Sequence, residues 1–317
     1  MKNNMLVIKK SNRSRIIDLI YEQDKISKQD IAYSLGMSLP TVASHLKQLR
    51  EENLILDQEM FEFSIGRKAR AIQFHANARY SIGIEITPDY MDLIVLNLKK
   101  EVVGQRRVPK KYQKSSAYIQ EIGQILKDWI AEIGIDQSRI LGISVAVPGI
   151  VSLQCDEIVS SYILGIQKFR IGALEELLGY PVWIYNSPKA AAAAECSRIL
   201  RQGSAVYLWI DLNIGAALVL DGSVFHGSNN RELEISHLKI IADGKPHYCG
   251  KKGCFGDYCE VRELSNYTDG SLERFFEKLA AGDEKISRVW EEYTTYLARG
   301  VDALRTLFDL EIILEGS

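Results

Sequence analysis

Two histidines and two cysteines near residue 250 form the pattern most able to do chemistry in this sequence of 317 residues. His237, His247, Cys249 and Cys254 follow the spacing H-x9-H-x-C-x4-C. Two imidazoles and two thiolates suit a closed tetrahedral zinc site. Because four protein ligands leave no open position, the pattern predicts a structural Zn²⁺ rather than a catalytic one.

The alternative interpretation is a group of free thiols beside two surface histidines. Gly250 and Gly253 favour the metal site, because they allow the tight turn that would bring the two cysteines together. Cys259 is a further thiol nearby and a fallback ligand. If zinc binds, its binding is coupled to the folding of this loop.

The composition is that of a folded chain able to hold such a site. It is 46% hydrophobic and 25% charged with a net charge of -2, which excludes a disordered chain, a coiled-coil rod and a polybasic coat protein. Five cysteines, an odd number, fit a reducing compartment and predict a cytoplasmic protein. The apolar run 140–151 is broken by Gly142, Pro148 and Gly149, so no membrane span is expected.

Charge divides the sequence near residue 79. Residues 1–79 carry 13 Lys and Arg against 9 Asp and Glu, whereas residues 80–317 carry 26 against 32. A small basic module before a larger acidic one is a reason to test for DNA binding. We therefore expect two domains, 1–79 and 80–317.

The first 50 residues contain the start and stop signals of three helices. Asn12 is predicted to cap the first helix. Ser27 is predicted to cap the second, with Asp30 where a capping box carries its acid. Gly36 then supplies the tight turn of a helix-turn-helix, and Ser38 caps the third helix.

The third helix has a buried stripe and a polar face. Val42, Leu46 and Leu49 follow helical spacing and are expected to face inward. A polar face leading from a helix N-terminus is typical of a reader of the DNA major groove. The predicted DNA contacts on this helix are Ser38, Thr41, Ser44, His45 and Lys47. The alternative is an ordinary three-helix domain with a solvated face.

A β-hairpin is predicted after these helices. Residues 53–56, 60–64 and 71–74 favour strands, and the bend before the last of them carries Arg67 and Lys68. A basic hairpin tip can lie on phosphates or enter the minor groove, which would make this the wing of a winged helix-turn-helix. The alternative is a basic hairpin that stays in solvent.

The larger module alternates strands and helices, so an α/β fold with more than one sheet is expected. The predicted strands are 80–87, 93–98, 102–108, 140–145, 182–185, 205–211, 215–221 and 311–314, and the first helices are 117–133 and 189–200. Five motifs make the chain resemble the ROK family, which includes sugar-responsive transcriptional repressors and sugar kinases. They are IGIEIT at 82–87, VPGIV at 147–151, YNSPKA at 185–190, EISH at 234–237 and HYCGKKGC at 247–254.

The resemblance implies a winged helix-turn-helix followed by an actin-like domain. That domain would have duplicated ribonuclease-H-like lobes around a sugar cleft and a zinc loop. Asn186, Glu234 and His237 match family positions that bind sugar hydroxyls. His247 stands where the family has the first of three zinc cysteines, a replacement that zinc accepts. Relative to the family, the C-terminal end looks short.

The residues that a kinase of this family needs are changed. A turn that cradles phosphate needs glycines, but the first such turn here is Glu85-Ile86-Thr87 and the second, 212–217, keeps one glycine. The family places its proton-accepting Asp after Asn186, where this chain has Ser187, which is not basic near neutral pH. We therefore expect no enzymatic activity.

Together these features predict a transcriptional regulator, in particular a repressor of carbohydrate-utilisation genes. Its expected partners are a double-stranded DNA operator, a sugar or sugar-phosphate effector and a second copy in a homodimer or higher homo-oligomer, with no membrane. Two alternatives remain open. One is a sugar kinase with an appended DNA-binding domain, and the other is a repressor controlled by a protein partner.

Overall fold

The computed structural model describes residues 2–59, 70–199, 203–310 and 312–316. The chain divides into two compact units. The first comprises Met1–Gly83, Leu93–Arg106 and Ile125–Ile143, and the second comprises Ile84–Asp92, Arg107–Gln124 and Ser144–Ser317. Among the residues that the structure describes, a helix with the length and hydropathy of a membrane span is absent.

The N-terminal part of the first unit is a helix-turn-helix with a small sheet. Its elements are α1 Lys2–Glu22, β1 Ile26–Ser27, α2 Lys28–Leu35, α3 Leu39–Glu51, β2 Ile55–Glu59 and β3 Arg70–Phe74. The strands form an antiparallel sheet in the order β1-β3-β2. Apolar side chains from the three helices and the sheet fill one core, among them Ile16, Ile31, Leu46, Leu49 and Ile72.

The predicted boundaries of α2 and α3 are confirmed by their hydrogen bonds. The Ser27 hydroxyl accepts from the backbone N–H of Asp30 at 3.2 Å. In the same way the Ser38 hydroxyl accepts from the N–H of Thr41 at 3.4 Å. Gly36 ends α2 in the left-handed conformation with φ 61°, which favours glycine.

The first helix begins earlier than predicted. It starts at Lys2, so Asn12 lies in its interior and does not cap it. Asparagine is tolerated inside a helix, and no Gly or Pro lies between residues 2 and 12 to end the turns that precede it.

The α/β part alternates strands and helices, as predicted. Its first elements are β4 Tyr80–Ile86, β5 Tyr90–Asn97, β6 Val102–Pro109, α4 Ser116–Ile133, β7 Ile140–Val147, β8 Ile150–Val151, β9 Glu157–Ser161, β10 Ile166–Arg170, α5 Gly172–Leu178, β11 Val182–Asn186 and α6 Ser187–Ile199. One sheet has the order β11-β7-β4-β5-β6, and a smaller antiparallel sheet has the order β10-β9-β8.

A mixed sheet of four strands follows in the second unit. The remaining elements are β12 Ala205–Ile210, β13 Ile214–Leu220, β14 Ser223–Val224, α7 Gly256–Cys259, α8 Arg262–Ser265, α9 Leu272–Ala280, α10 Glu284–Phe308 and β15 Ile312–Gly316. The sheet order is β14-β13-β12-β15, with β15 parallel to β12. Phe255 is fully buried in the core beside this sheet. A Cβ on Gly300 of α10 would lie 2.1 Å from the Phe255 ring, so only glycine lets the helix approach this closely.

Candidate functional site

Helix α3 presents a polar face at its N-terminal end. Ser38, Ser44 and Lys47 are exposed, and Thr41 is half-buried with its hydroxyl 2.9 Å from that of Ser38. Lys47 lies 3.9 Å from Glu51, a contact too weak and too exposed to hold it. These four side chains, Ser38, Thr41, Ser44 and Lys47, are called the α3 face below.

His45 does not share this face. Only 8% of it is exposed, and its Nδ1 has no hydrogen-bond partner among the described residues. Its position explains this, because it lies three residues after Val42 and four before Leu49, both of which are buried. Its burial argues against a groove contact for this side chain.

The sequence analysis missed two exposed apolar side chains of the helix-turn-helix. Leu39, the first residue of α3, is 44% exposed, and Tyr33 on α2 is 91% exposed. Both lie outside the buried stripes of their helices. An apolar residue at a position predicted to be exposed is the sequence feature that could have identified them.

The predicted wing is described only where its strands begin. Strands β2 and β3 pair in an antiparallel register that joins Glu59 to Arg70. Arg67 and Lys68, the two predicted wing contacts, lie outside the described residues.

The four predicted metal ligands come together in two overlapping groups. Ligand atoms of His237, His247 and Cys249 lie within 4.8 Å of one another, and so do those of His247, Cys254 and Asp257. The cysteine Sγ atoms are 3.9 Å apart, and the Cys249 Sγ is 2.9 Å from the His247 Nδ1. We call His237, His247, Cys249 and Cys254 the His–Cys cluster.

The backbone around the cluster explains this convergence. His237 ends a short 3-10 turn, and antiparallel bridges join Lys239 to Cys254 and Pro246 to Lys252. A Cβ on Gly253 would lie 1.7 Å from the carbonyl oxygen of Ile241, and its φ is 75°. The predicted need for glycine at this turn is therefore confirmed.

The imidazoles of the cluster suit a metal ion, whereas Cys254 would have to lose its proton to bind one. Burial lowers the pKa of both His237 and His247, so both imidazoles favour the neutral form that binds metals. Burial and the neighbouring Cys249 raise the pKa of Cys254 to about 11. The His237 Nδ1 and the His247 Nε2 are buried without a hydrogen-bond partner in the described part of the chain. A bound cation would favour thiolate and satisfy a free imidazole nitrogen.

Asp257 belongs to this region although the sequence pattern did not include it. Its Oδ2 is buried without a hydrogen-bond partner among the described residues, and burial raises the pKa of Asp257 to about 6. Cys259, the fallback ligand, is fully buried and belongs to neither group of ligand atoms.

The second unit contains a cavity of about 640 Å³. All three predicted sugar contacts line it: Asn186, Glu234 and His237. The Asn186 amide donates to the Gly149 carbonyl at 2.9 Å and accepts from the Lys189 N–H at 3.3 Å. Part of the hydrogen-bonding capacity of this side chain is therefore taken up by contacts within the protein. Burial raises the pKa of Glu234, which lies in the wall.

An aromatic pair joins the cavity to the His–Cys cluster. Tyr162 and Tyr248 both line the cavity, and their rings stack with centroids 3.8 Å apart and planes 8° apart. The Tyr248 hydroxyl is 3.3 Å from the Nε2 of His237, and its ring centroid is 4.0 Å from that of His247. Tyr248 therefore contacts both the cavity and the cluster.

A buried ion pair lies in the same wall and was also missed. The Lys189 Nζ is 2.6 Å from a Glu232 carboxylate oxygen, and both side chains are less than 10% exposed. The Lys189 Nζ also donates to the Asn230 side chain at 2.8 Å. The ammonium group is thus fully engaged within the protein.

The three segments that the sequence analysis compared with kinase motifs border the cavity as well. Glu85, Thr87 and Ser187 line it, together with residues 211–216. A Cβ on Gly215 would lie 2.6 Å from the Pro188 ring, so the glycine kept in the second turn serves close packing in this chain.

Comparison with known proteins agrees with these features. The sequence profile of the ROK family matches residues 81–317, and that of a winged helix-turn-helix DNA-binding domain matches 10–55. The chain is 23% identical over 260 residues to the xylose repressor of Bacillus spizizenii, covering 81% of this chain and 67% of that protein.

Two solved structures have the same fold. A ROK family transcriptional regulator, a homologue of the Escherichia coli Mlc protein, superposes with a TM-score of 0.79 at 21% identity, covering 98% of this chain and 83% of that one. The ROK hexokinase of Thermus thermophilus gives a TM-score of 0.61 at 25% identity, with coverages of 75% and 81%. Since the family profile spans most of the chain, the protein belongs to the ROK family.

Proposed function

We propose that this protein is a sequence-specific DNA-binding transcriptional regulator that represses carbohydrate-utilisation genes. The observation that carries the proposal is the α3 face on a capped helix-turn-helix. The name and fold of its relatives support it. Residues 1–79 would form the DNA-binding domain and residues 80–317 the sensing domain, working in the cytoplasm where operator DNA lies.

The proposed DNA contacts are the α3 face and the wing. Ser38, Thr41, Ser44 and Lys47 would lie in the major groove, and Arg67 and Lys68 would contact phosphates or the minor groove. A homodimer on a two-fold symmetric operator would bring two such helices to adjacent turns of DNA. We omit His45 because it is buried.

The larger domain would sense a sugar through Asn186, Glu234 and His237. We propose that it has the two ribonuclease-H-like lobes of the family, an arrangement that its five-stranded and four-stranded sheets support. Sugar would release DNA only if it binds the two conformations of the protein with different affinities.

We also propose that the His–Cys cluster holds a structural zinc ion. Two neutral imidazoles and two cysteines match the donors that zinc prefers, and the unpartnered nitrogens support the assignment. Zinc would stabilise the loop 237–254 and, with it, one wall of the cavity.

Phosphoryl transfer is not part of the proposal. By the family resemblance, Ser187 would stand at the position of the proton-accepting carboxylate, and the turn at Glu85 carries bulky side chains. The rival functions, a kinase with a DNA-binding domain and a repressor controlled by a protein partner, are outcomes of the experiments below.

The test is a selection of genomic DNA fragments on the purified full-length protein, followed by sequencing. We expect enrichment of a palindrome beside carbohydrate transport or catabolism genes. Enrichment no greater than a salt-sensitive background would contradict the proposal. In the kinase alternative the protein also phosphorylates a hexose with ATP, and in the partner alternative no sugar releases the selected DNA.

The selected fragment then tests the wing. Arg67→Ala should lower the slope of log affinity against log salt by about one unit if this side chain neutralises a phosphate. An unchanged slope would remove Arg67 from the interface.

A further inference from the structure

The helix that carries the α3 face begins with an apolar side chain that is only partly covered by the protein. Leu39 is the first residue of α3, directly after the capping Ser38, and it is 44% exposed. Val42, three residues later, is fully buried. The buried stripe of α3 therefore begins after Leu39, and the exposed surface of this leucine is available to a partner.

The neighbours of Leu39 extend this apolar surface along the start of the helix. Pro40 is exposed, and Ala43 is half-buried. Since residues four apart lie on the same side of a helix, Leu39 and Ala43 are adjacent on the surface of α3. Polar side chains of the α3 face lie before and after them, at Ser38 and Ser44. The N-terminal end of α3 therefore combines an apolar edge with hydrogen-bonding groups.

A surface of this composition matches one feature of duplex DNA. In a helix-turn-helix, the N-terminal residues of the second helix contact base edges in the major groove. Those edges present hydrogen-bond donors and acceptors, and thymine also presents an apolar C5 methyl group. The first turn of α3 carries no acidic residue that would repel the phosphates beside the groove. An apolar side chain at this position gains by covering a thymine methyl, because both surfaces are removed from water.

Tyr33 is a second exposed side chain of this domain, but it is less suited to reading bases. It is 91% exposed and lies on α2. The first helix of a helix-turn-helix crosses the DNA backbone, whose phosphates and sugars are the same for every sequence. A contact from Tyr33 would therefore add affinity without a base preference. Of these two side chains, Leu39 is the one placed to distinguish one base pair from another.

We propose that Leu39 determines operator specificity by covering the C5 methyl group of a thymine in each half-site. This inference rests on the proposed DNA-binding function and adds to it one base that the helix prefers. It also adds an apolar contact to a set of predicted DNA contacts that are all polar or basic. The protein should then discriminate thymine from uracil, which pairs with adenine in the same way but lacks the methyl group.

The experiment removes the methyl group from the operator and the side chain from the protein. The probe is the DNA fragment enriched in the genomic selection, synthesised with deoxyuridine in place of each thymidine in turn. Fluorescence anisotropy measures its affinity for the full-length protein. We expect at least one position in each half-site at which loss of the methyl group weakens wild-type binding about fivefold, which corresponds to about 1 kcal/mol.

The Leu39→Ala variant tests the residue itself. It should bind the unmodified fragment about fivefold more weakly than the wild type, and uracil at the sensitive position should cost it no further affinity. Leu39→Met, which keeps an apolar side chain of similar volume, should retain most of the methyl effect. Leu153→Ala, at a leucine of the second unit that is 51% exposed, is the matched control and should behave as the wild type does.

The fold should survive these substitutions. Alanine favours a helix at least as well as leucine, and the capping Ser38 is unchanged, so Tm should stay the same in Leu39→Ala. The methyl effect is also a ratio of two affinities measured for one variant. It therefore does not depend on how much of that variant is folded.

Three results would overturn the inference. The first is that deoxyuridine weakens wild-type binding at no position of the fragment. The second is that Leu39→Ala keeps the full wild-type loss at every sensitive position. The third is that Leu39→Ala weakens binding to the selected fragment and to unrelated DNA equally, which would assign the side chain to the fold or to a protein contact.

Failure of the regulator proposal would look different. It would show as a genomic selection that enriches no fragment, and the inference about Leu39 would then fall with it. In the three results above, by contrast, the wild type still binds its selected fragment, so the two failures are distinguishable.

Discussion

The His–Cys cluster and the α3 face are both built from polar side chains, but their surroundings differ. In the cluster, Cys254 is fully buried and His247 is 6% exposed, and their neighbours hold them together. On the α3 face, Ser44 and Lys47 are exposed, and the 3.9 Å contact between Lys47 and Glu51 is too exposed to hold the lysine. Substitutions in the cluster should therefore change the stability of the protein, whereas substitutions on the face should change what it binds.

The largest effect is expected in the cluster. Cys254→Ser should remove bound zinc and lower Tm by about 10 °C, because the free energy of binding a structural metal stabilises the folded state. Metal analysis and thermal unfolding measure the two effects. Cys155→Ser, at a half-buried cysteine outside the cluster, should change neither. Equal losses in both variants would mean that the cluster is not a metal site.

On the α3 face, Lys47→Ala should weaken operator binding about fivefold and leave Tm unchanged, since the side chain is exposed and weakly paired. Fluorescence anisotropy with the selected fragment measures the change. The matched control is Lys127→Ala, at an exposed lysine on α4. A loss of the same size in the control would indicate a general charge effect rather than a contact.

His45 tests the contrast between buried and exposed polar side chains within one helix, because it belongs to α3 but is buried. His45→Ala should lower Tm by about 3 °C through lost packing, and the sequence preference for the operator should stay the same. A changed base preference at an unchanged Tm would return His45 to the set of groove contacts.

The smallest effect concerns Glu260, near the cluster in the chain. Burial raises the pKa of Glu260 from 4.5 to about 7. Because the folded state holds this proton more tightly than the unfolded state, the free energy of unfolding decreases as pH rises from about 4.5 to 7. In Glu260→Gln this decrease should be smaller, leaving the variant about 2 °C more stable than the wild type at pH 8. If the free energy of unfolding depended on pH in the same way in the wild type and in Glu260→Gln, this prediction would be wrong.

Local features were predictable from the sequence. Ser27, Ser38 and Gly36 mark helix ends because their chemistry acts on the backbone within three residues. The proximity of His247, Cys249 and Cys254 was predictable for the same reason, since only a few residues separate them in the sequence. The ROK resemblance was confirmed by the family profile.

Features that depend on distant parts of the chain were not predictable. Glu85 meets Glu234 in one cavity wall only through the fold, and Lys189 meets Glu232 across more than 40 residues. His45 lies at the edge of the buried stripe of α3. At such a position, helical spacing alone does not decide whether the side chain faces the core or the solvent. Asn12 looked like a cap, but a cap residue begins a helix only when the chain before it is not helical.

His237 belongs to two sites at once, since it lines the cavity and is a member of the His–Cys cluster. If zinc and a sugar bind as proposed and zinc changes the affinity for the sugar, thermodynamic linkage requires the sugar to change the affinity for zinc by the same factor. The zinc supply of the cell would then become a second input to gene control. A cell starved of zinc would respond to the same sugar at a different threshold.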